Sequence, residues 1–333
     1  MFEFACATRI VAGASAVDRA GALASELGRR AIVIADAELF ASGRITALAA
    51  ALQQAGVGLL GSIEVGPASK ASKAETAAAV DGHGGRPVPD LIVVAGSDRA
   101  FDQLASVTSP LPIIGVPTSA SSGRGQGRCR LVILDPELSV DVPDAQLASS
   151  AITAISRAIE SWVTSRRSPM SDLFARESWR LMSASYLRAL GGSGDLEALS
   201  DVLLGCLLAE VASSQSGLGA LEACARPITS SVGQAAALAI LLPEVVRWNM
   251  RVVADRYAEL AAVRGEARRP ETLVARLEDF VLAGGFPGRL GAAGIVERDL
   301  PALAELAAAE PAALTNPRKF DVAGALELYA ATY

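Results

Sequence analysis

The sequence has a single histidine, His83, in 333 residues, and that scarcity removes several kinds of chemistry before any motif is considered. A metal centre built on several imidazoles and a Ser-His-Asp triad assembled elsewhere in the chain are excluded by inventory. His83 stands in DGHGGRPVP, where glycine and proline on both sides predict a surface loop and a solvated side chain. Cysteine is nearly as sparse. Cys6, Cys129, Cys206 and Cys224 are scattered with no CxxC pair and no export signal before them, so buried free thiols are expected. Basic charge is also short: 30 Lys and Arg against 36 Asp and Glu leave a formal net charge of −6, with no cluster suited to phosphates, which argues against a nucleic-acid partner. Long hydrophobic runs are missing too. Stretches such as Ala235 to Leu242 fall short of the ~18 residues a bilayer requires, and no basic segment leads into an apolar one at the N-terminus. These absences predict a cytoplasmic protein with no membrane partner and a small-molecule substrate.

What is present is aliphatic. The hydrophobic fraction is 51% with only 5% aromatic, so Ala, Leu, Val and Ile must build the core, and 333 residues favour two domains over one. In the first part, short apolar runs of strand length recur: AIVIA at Ala31, LLGSI at Leu59, LIVVAG at Leu91, PIIGVP at Pro112 and RLVIL at Arg130. Helical periodicity separates the first four, as in ITALAAALQQAG from Ile45 to Gly56, and this alternation predicts an α/β domain with a parallel, Rossmann-like sheet covered on both faces. Beyond VPDAQ (Val142 to Gln146) the pattern turns helical, with almost no strand signal. The expected division is an α/β domain over residues 1–142 and an all-helical domain over residues 143–333.

In such a sheet, ligands bind beyond the carboxyl ends of the strands. Three loops lie there: ADAELF with Asp36, AGSDRAFD with Gly96 and Ser97, and PTSASSGRG with Thr118, Ser119 and Ser122. The small residues Ala95, Gly96 and Ser97 lead into a helix near Asp98, where backbone N–H groups could cradle a pyrophosphate or Asp98 could act as a plain N-cap.

Five ordered segments carry a resemblance that covers nearly the whole chain: VVAGSDRAFDQLA at Val93, VPTSASSGRG at Val116, the run from Val132 to Asp172, QAAALAILLPEVVRWN at Gln234 and LTNPRKFDVAGALELY at Leu314. Together they resemble the iron-containing alcohol dehydrogenases, including their maleylacetate reductase branch, within the dehydroquinate synthase-like fold. The resemblance implies an oxidoreductase that binds NAD or NADP through Asp36, Gly96, Ser97, Thr118, Ser119 and Ser122. It also implies a homodimer joined through the N-terminal domain, and FEFACA (Phe2 to Ala7) reads as an exposed strand able to pair. The cofactor loops depart from the family pattern: the glycine triplet shrinks to Ala95 and Gly96, the closing lysine is Gln103, and Ser121, Arg124 and Gly125 replace a glycine and the final Ser-Glu. The hairpin that normally follows is absent.

The family's metal ligands are one Asp and three His. Their positions fall on Thr153, Arg157, Glu222 and Gln234, and a family histidine associated with proton handling falls on Arg226. No metal is expected, because a guanidinium does not deprotonate to become a ligand. Thr153, Arg157 and Glu160 share one helical face, as do Glu222 and Arg226, and the family's packing would set Arg157 against Glu222. That pair either plugs a dead site or works: Arg157 or Arg226 gripping an anionic or carbonyl oxygen, Glu222 handling a proton, and Thr153 and Gln234 lining the pocket. Three functions stay open at this point: a metal-independent NAD(P)-dependent reductase or dehydrogenase of a small carbonyl or anionic substrate, a non-redox cyclase, dehydratase or isomerase of a specialised biosynthetic pathway, and a catalytically silent pseudoenzyme.

Overall fold

A computed structural model describes residues 8–66, 73–81, 87–119, 128–191 and 194–333. FEFACA, Cys6, His83, Ser121, Ser122, Arg124 and Gly125 therefore lie outside the described residues. Six strands, β1 (Arg9–Ala12), β2 (Arg30–Asp36), β3 (Gly58–Val65), β4 (Leu91–Gly96), β5 (Ile113–Pro117) and β6 (Leu131–Leu134), form one sheet in the order β1-β6-β5-β4-β2-β3. Every pairing is parallel. The helices of this part are α1 (Ala20–Ser25), α2 (Ala37–Ala41), α3 (Arg44–Gln54), α4 (Lys73–Val80) and α5 (Asp98–Asp102).

The apolar runs explain the middle of the sheet. Apart from Arg30, β2 is buried along its length, and β4, β5 and β6 are buried at every residue, as expected of parallel strands with both faces covered. The edges behave differently. β3 was expected to be a covered strand, but its burial alternates, because at the edge of the sheet one face is left to solvent. Leu60 is the extra residue of a register shift opposite Ala31 and Ile32 and is 37% exposed. β1, with the sequence RIVA, is too short to register as an apolar run, and as an edge strand it is mostly exposed, with only Val11 packing against the core.

Beyond the sheet the described chain is helical: α6 (Asp144–Val163), α7 (Pro169–Ala189), α8 (Leu196–Ser216), α9 (Ala220–Val232), α10 (Gln234–Ala261), α11 (Pro270–Ala283), α12 (Leu300–Ala309) and α13 (Val322–Thr332). Ser168 opens α7 with a capping box to Ser171, followed by Pro169 at the first helical position. Among the described residues, no helix is long and apolar enough to cross a membrane. The chain separates into two compact units near Val142 and Pro143, but Gly194–Leu204 groups with the α/β unit rather than the helical one. This departs from the division expected at residue 143, and the reason is local: Gly194 lies beside Val140 in the α/β unit. Cys129, Cys206 and Cys224 are buried and form no disulfide.

Within the helical unit, one constellation fixes where α9 begins. The Glu160 carboxylate, on α6, accepts the N–H of Leu221 at 2.8 Å and that of Glu222 at 3.2 Å, satisfying donors that a helix start leaves open. Asn316 Oδ1 accepts the Ala220 N–H at 3.1 Å, while its amide pairs with that of Asn249, Nδ2 donating to Asn249 Oδ1 at 2.9 Å. Gly219 makes room for both: a Cβ there would stand 2.7 Å from Asn316 Oδ1 and 3.0 Å from Glu160 Oε1. The Arg318 guanidinium stacks 3.6 Å over Trp248 and donates to the Trp248 carbonyl, tying the segment before α13 to α10.

Burial, reinforced by the neighbouring Glu222 carboxylate, pushes Glu160 up to about 8 despite the N–H groups aimed at it. The folded state thus holds a proton that the unfolded chain releases near 4.5, so stability falls as pH rises from 4.5 to about 8. Glu160→Gln removes this titration while keeping an acceptor. Melting temperatures measured across that window should fall less steeply for the Gln variant than for the native protein, and parallel curves would show that Glu160 is ionised throughout.

Candidate active site

The carboxyl end of the sheet gathers the residues expected to meet a dinucleotide. β2 ends on Asp36, β4 on Gly96, and Thr118 and Ser119 follow β5. Asp36 is buried, and its Oδ2 accepts the Ser97 N–H at 2.5 Å. Its Oδ1 is also buried and has no hydrogen-bond partner among the described residues. Burial raises the Asp36 carboxyl above its ordinary value, against the hydrogen bonds from Ser97 and the pull of Arg99. Gly96 has φ +131°, and a Cβ there would fall 2.6 Å from the Asp36 carboxyl carbon, so glycine alone lets the two strand ends come this close. Thr118 N–H donates to the Gly96 carbonyl at 3.0 Å, and Ser139 Oγ donates to the Thr118 carbonyl at 2.6 Å, which ties this turn to the residues after β6. Both Thr118 and Ser119 are buried.

The phosphate cradle expected after β4 takes a different form. The N-cap is Ser97 rather than Asp98, with Ser97 Oγ accepting the Arg99 N–H, and the helix it opens has only five residues. The Ser97 N–H points at Asp36. Gln103, at the family's lysine position, is buried and accepts a hydrogen bond from Thr76.

In the helical unit, Thr153 is buried in α6 and its hydroxyl donates back to the Ser149 carbonyl at 2.9 Å. One turn on, Arg157 Nη1 lies 2.8 Å from Glu210 Oε2, on α8. Glu222, in the first turn of α9, receives Arg226 Nε at 3.1 Å on Oε1, and the same nitrogen lies 3.7 Å from Glu310 Oε2. Gln234 is the half-buried first residue of α10. The expected pairing of Arg157 with Glu222 is therefore corrected, because Arg157 pairs with Glu210 and Glu222 with Arg226. In these ion pairs two arginines meet three glutamates, Glu210, Glu222 and Glu310. Burial raises the Glu210 carboxyl while Arg157 pulls it back.

Sequence reasoning missed Glu210 and Glu310. Glu210 did leave a signal, as the only charged residue from Gly205 to Ser216. Glu310 left none, since its partner is set by the packing of the turn after α12 against α9.

The residues at the family's ligand positions do not fit a divalent cation. Glu222 is engaged by Arg226, the Thr153 hydroxyl is turned to its own helix, and Arg157 brings a fixed positive charge in place of a donor. Among the described residues, no group of three or more His, Cys, Asp or Glu side chains is arranged to hold a metal. At the carboxyl end of the sheet, Asp36 Oδ1 is buried without a partner among the described residues, and the space left by the missing Gly96 Cβ is taken by the Asp36 carboxyl.

Comparison with known proteins agrees with this architecture. A family profile described as Fe-containing alcohol dehydrogenase family, C-terminal, matches residues 147–333, more than half of the chain. The 1,3-propanediol dehydrogenase of Klebsiella pneumoniae is 26% identical over 247 residues, covering 65% of this chain and 64% of its own. The chain thus spans about two thirds of that relative. The NAD-dependent methanol dehydrogenase of Bacillus methanolicus is 25% identical over 360 residues, covering 92% of this chain and 93% of its own. Among solved structures, a 1,3-propanediol oxidoreductase superposes with a TM-score of 0.87 at 23% identity, covering 100% of both chains. The chain belongs to the iron-containing alcohol dehydrogenase family, and its parallel α/β unit and helical remainder have the dehydroquinate synthase-like fold of that family.

Proposed function

We propose that this alcohol dehydrogenase-like protein is a metal-independent, NAD(P)-dependent reductase or dehydrogenase of a small carbonyl or anionic substrate. The observation that carries the reading is the Arg226 side chain. It stands where the family places its proton-handling histidine, is 56% exposed, and spends only Nε on Glu222; among the described residues no hydrogen bond engages its Nη1 or Nη2. A guanidinium with two donors to spare suits a carbonyl oxygen or a carboxylate.

The bound dinucleotide would supply or accept a hydride at the carbonyl carbon. Asp36 would hold its sugar hydroxyls through Oδ1, with Gly96, Ser97, Thr118 and Ser119 around the phosphates. As negative charge develops on the substrate oxygen, the Arg226 and Arg157 guanidinium groups would stabilise it, the task that falls to a Lewis acid where a metal is present. Glu222, held by Arg226 Nε, would pass a proton to that oxygen and recover it from solvent. Thr153 and Gln234 would shape the substrate pocket. The NAD-dependent methanol dehydrogenase among the relatives supports the cofactor assignment.

Calorimetric titration with NADH and NADPH tests the cofactor. One of the two should bind, and Asp36→Asn should weaken it about tenfold or more, the worth of one charge-assisted hydrogen bond. Absence of binding by either dinucleotide would turn the reading toward non-redox chemistry or an inert scaffold. Elemental analysis of the purified protein should find no stoichiometric iron or zinc, and chelation should leave the melting temperature unchanged; about one metal per chain would overturn metal independence. In assays that follow NAD(P)H consumption with short aldehydes, Arg226→Met should lower kcat/KM on the order of 10²-fold, the typical loss of one transition-state donor, with the fold intact. Full activity in a folded Arg226→Met would remove Arg226 from the mechanism.

A further inference from the structure

Glu210 is the acidic side chain that neither the family pattern nor the reading above assigns. It comes from α8, in the stretch GCLLAEVASS, where every neighbour in sequence is uncharged. Its side chain is 20% exposed and that of Arg157 is 13% exposed, so the 2.8 Å contact is made largely out of water. A pair in this condition recovers little net stability from its attraction, and apolar side chains of similar volume would fill the same space at no loss. The carboxyl is also held against its own burial, which raises it, by the Arg157 charge that lowers it. What such a pair does supply is direction. An arginine carries several rotatable bonds, and an anchor on one terminal nitrogen narrows the directions in which the rest of the guanidinium can point.

The backbone adds a second constraint. Arg157 lies on the face of α6 that also carries Thr153 and Glu160, and Glu160 grips the start of α9 at Leu221 and Glu222. The Arg157 guanidinium is thereby anchored from α8, on a helix whose next turn is fixed to the helix of Glu222 and Arg226.

We propose that Glu210 is a positioning residue: its carboxylate fixes the Arg157 guanidinium in the orientation that meets the substrate's carbonyl oxygen or anionic group. Glu210 does not itself touch the substrate. The inference rests on the role given to Arg157 above and adds the residue that makes that role possible.

The test is a double-mutant cycle on the NAD(P)H-loaded protein, with a panel of two- to four-carbon aldehydes, some bearing a carboxylate or sulfonate, as probes. Glu210→Gln should lower kcat/KM about tenfold or more in protein that stays folded at the assay temperature, and the loss should vanish when Arg157 is already Met. Glu210→Asp, which keeps the charge, should restore part of the rate and serves as the second variant if the amide does not fold. A binding readout stands beside activity: millimolar guanidinium chloride should bind calorimetrically to Arg157→Ala and fail to bind when Glu210 is also Gln. Equal losses for Glu210→Gln with and without Arg157 would overturn the positioning role, as would guanidinium binding that ignores Glu210. If Arg157→Met is impaired and Glu210→Gln is fully active, the positioning role fails and the proposed function stands. If both folded variants keep full activity, Arg157 leaves the mechanism and the inference goes with it. If no aldehyde is turned over, the proposed function is what fails, and guanidinium binding alone decides whether Glu210 holds Arg157.

Discussion

The helical unit depends on one buried helix start. At Gly219, where a side chain would collide with two polar groups, the Glu160 carboxyl from α6 and the Asn316 amide from the segment before α13 both reach the first N–H groups of α9. Three stretches far apart in sequence are brought to one point, and two of them satisfy donors of the third that would otherwise be buried without a partner. Asn316 extends the arrangement to α10 through Asn249, and Arg318 seals it by covering Trp248. The placement of Glu222 and Arg226 follows, because they occupy the first and second turns of the helix fixed in this way.

At the carboxyl end of the sheet, the governing constraint is steric. The left-handed backbone of Gly96 and its missing Cβ let the ends of β2 and β4 close up until Asp36 reaches the Ser97 N–H. The Ser97 N–H is drawn to a carboxylate, and that carboxylate keeps one buried oxygen without a partner among the described residues. The helix that follows has only five residues.

The helical unit carries two linked features of charge. Arg157 with Glu210 and Arg226 with Glu222 place positive charge on the protein itself, and Arg226 Nε also lies within 3.7 Å of Glu310. A metal polarises an oxygen from a single point, whereas a guanidinium presents paired donors in a plane and has to be aimed. The two arginines are held differently: the Arg157 side chain is 13% exposed and meets a carboxylate from another helix, and Arg226 is open to solvent, with Glu222 one turn back on its own helix and Glu310 3.7 Å away.

The order of strands and helices, the change from α/β to helical character near Val142 and the five family segments could all be read in the sequence, because apolar runs and helical periodicity are properties of short stretches of chain. Gly96 and Arg157 were likewise legible as positions within those segments, whereas Asp36, Glu222 and Arg226 lie outside them, Asp36 at the end of an apolar run and Glu222 and Arg226 one helical turn apart. The edge status of β3 and the existence of β1 were not, since both depend on which strands lie beside them. Nor could the sequence say that Gly194–Leu204 groups with the α/β unit. Above all, it could not choose partners for the charges: helical spacing put Arg157 and Glu222 on faces able to meet, and the packing of α6 and α8 gave Arg157 to Glu210 instead. Spacing along a helix determines which face a side chain takes, but the partner of a buried charge depends on distances of a few ångströms between helices, and those are fixed only when the helices pack.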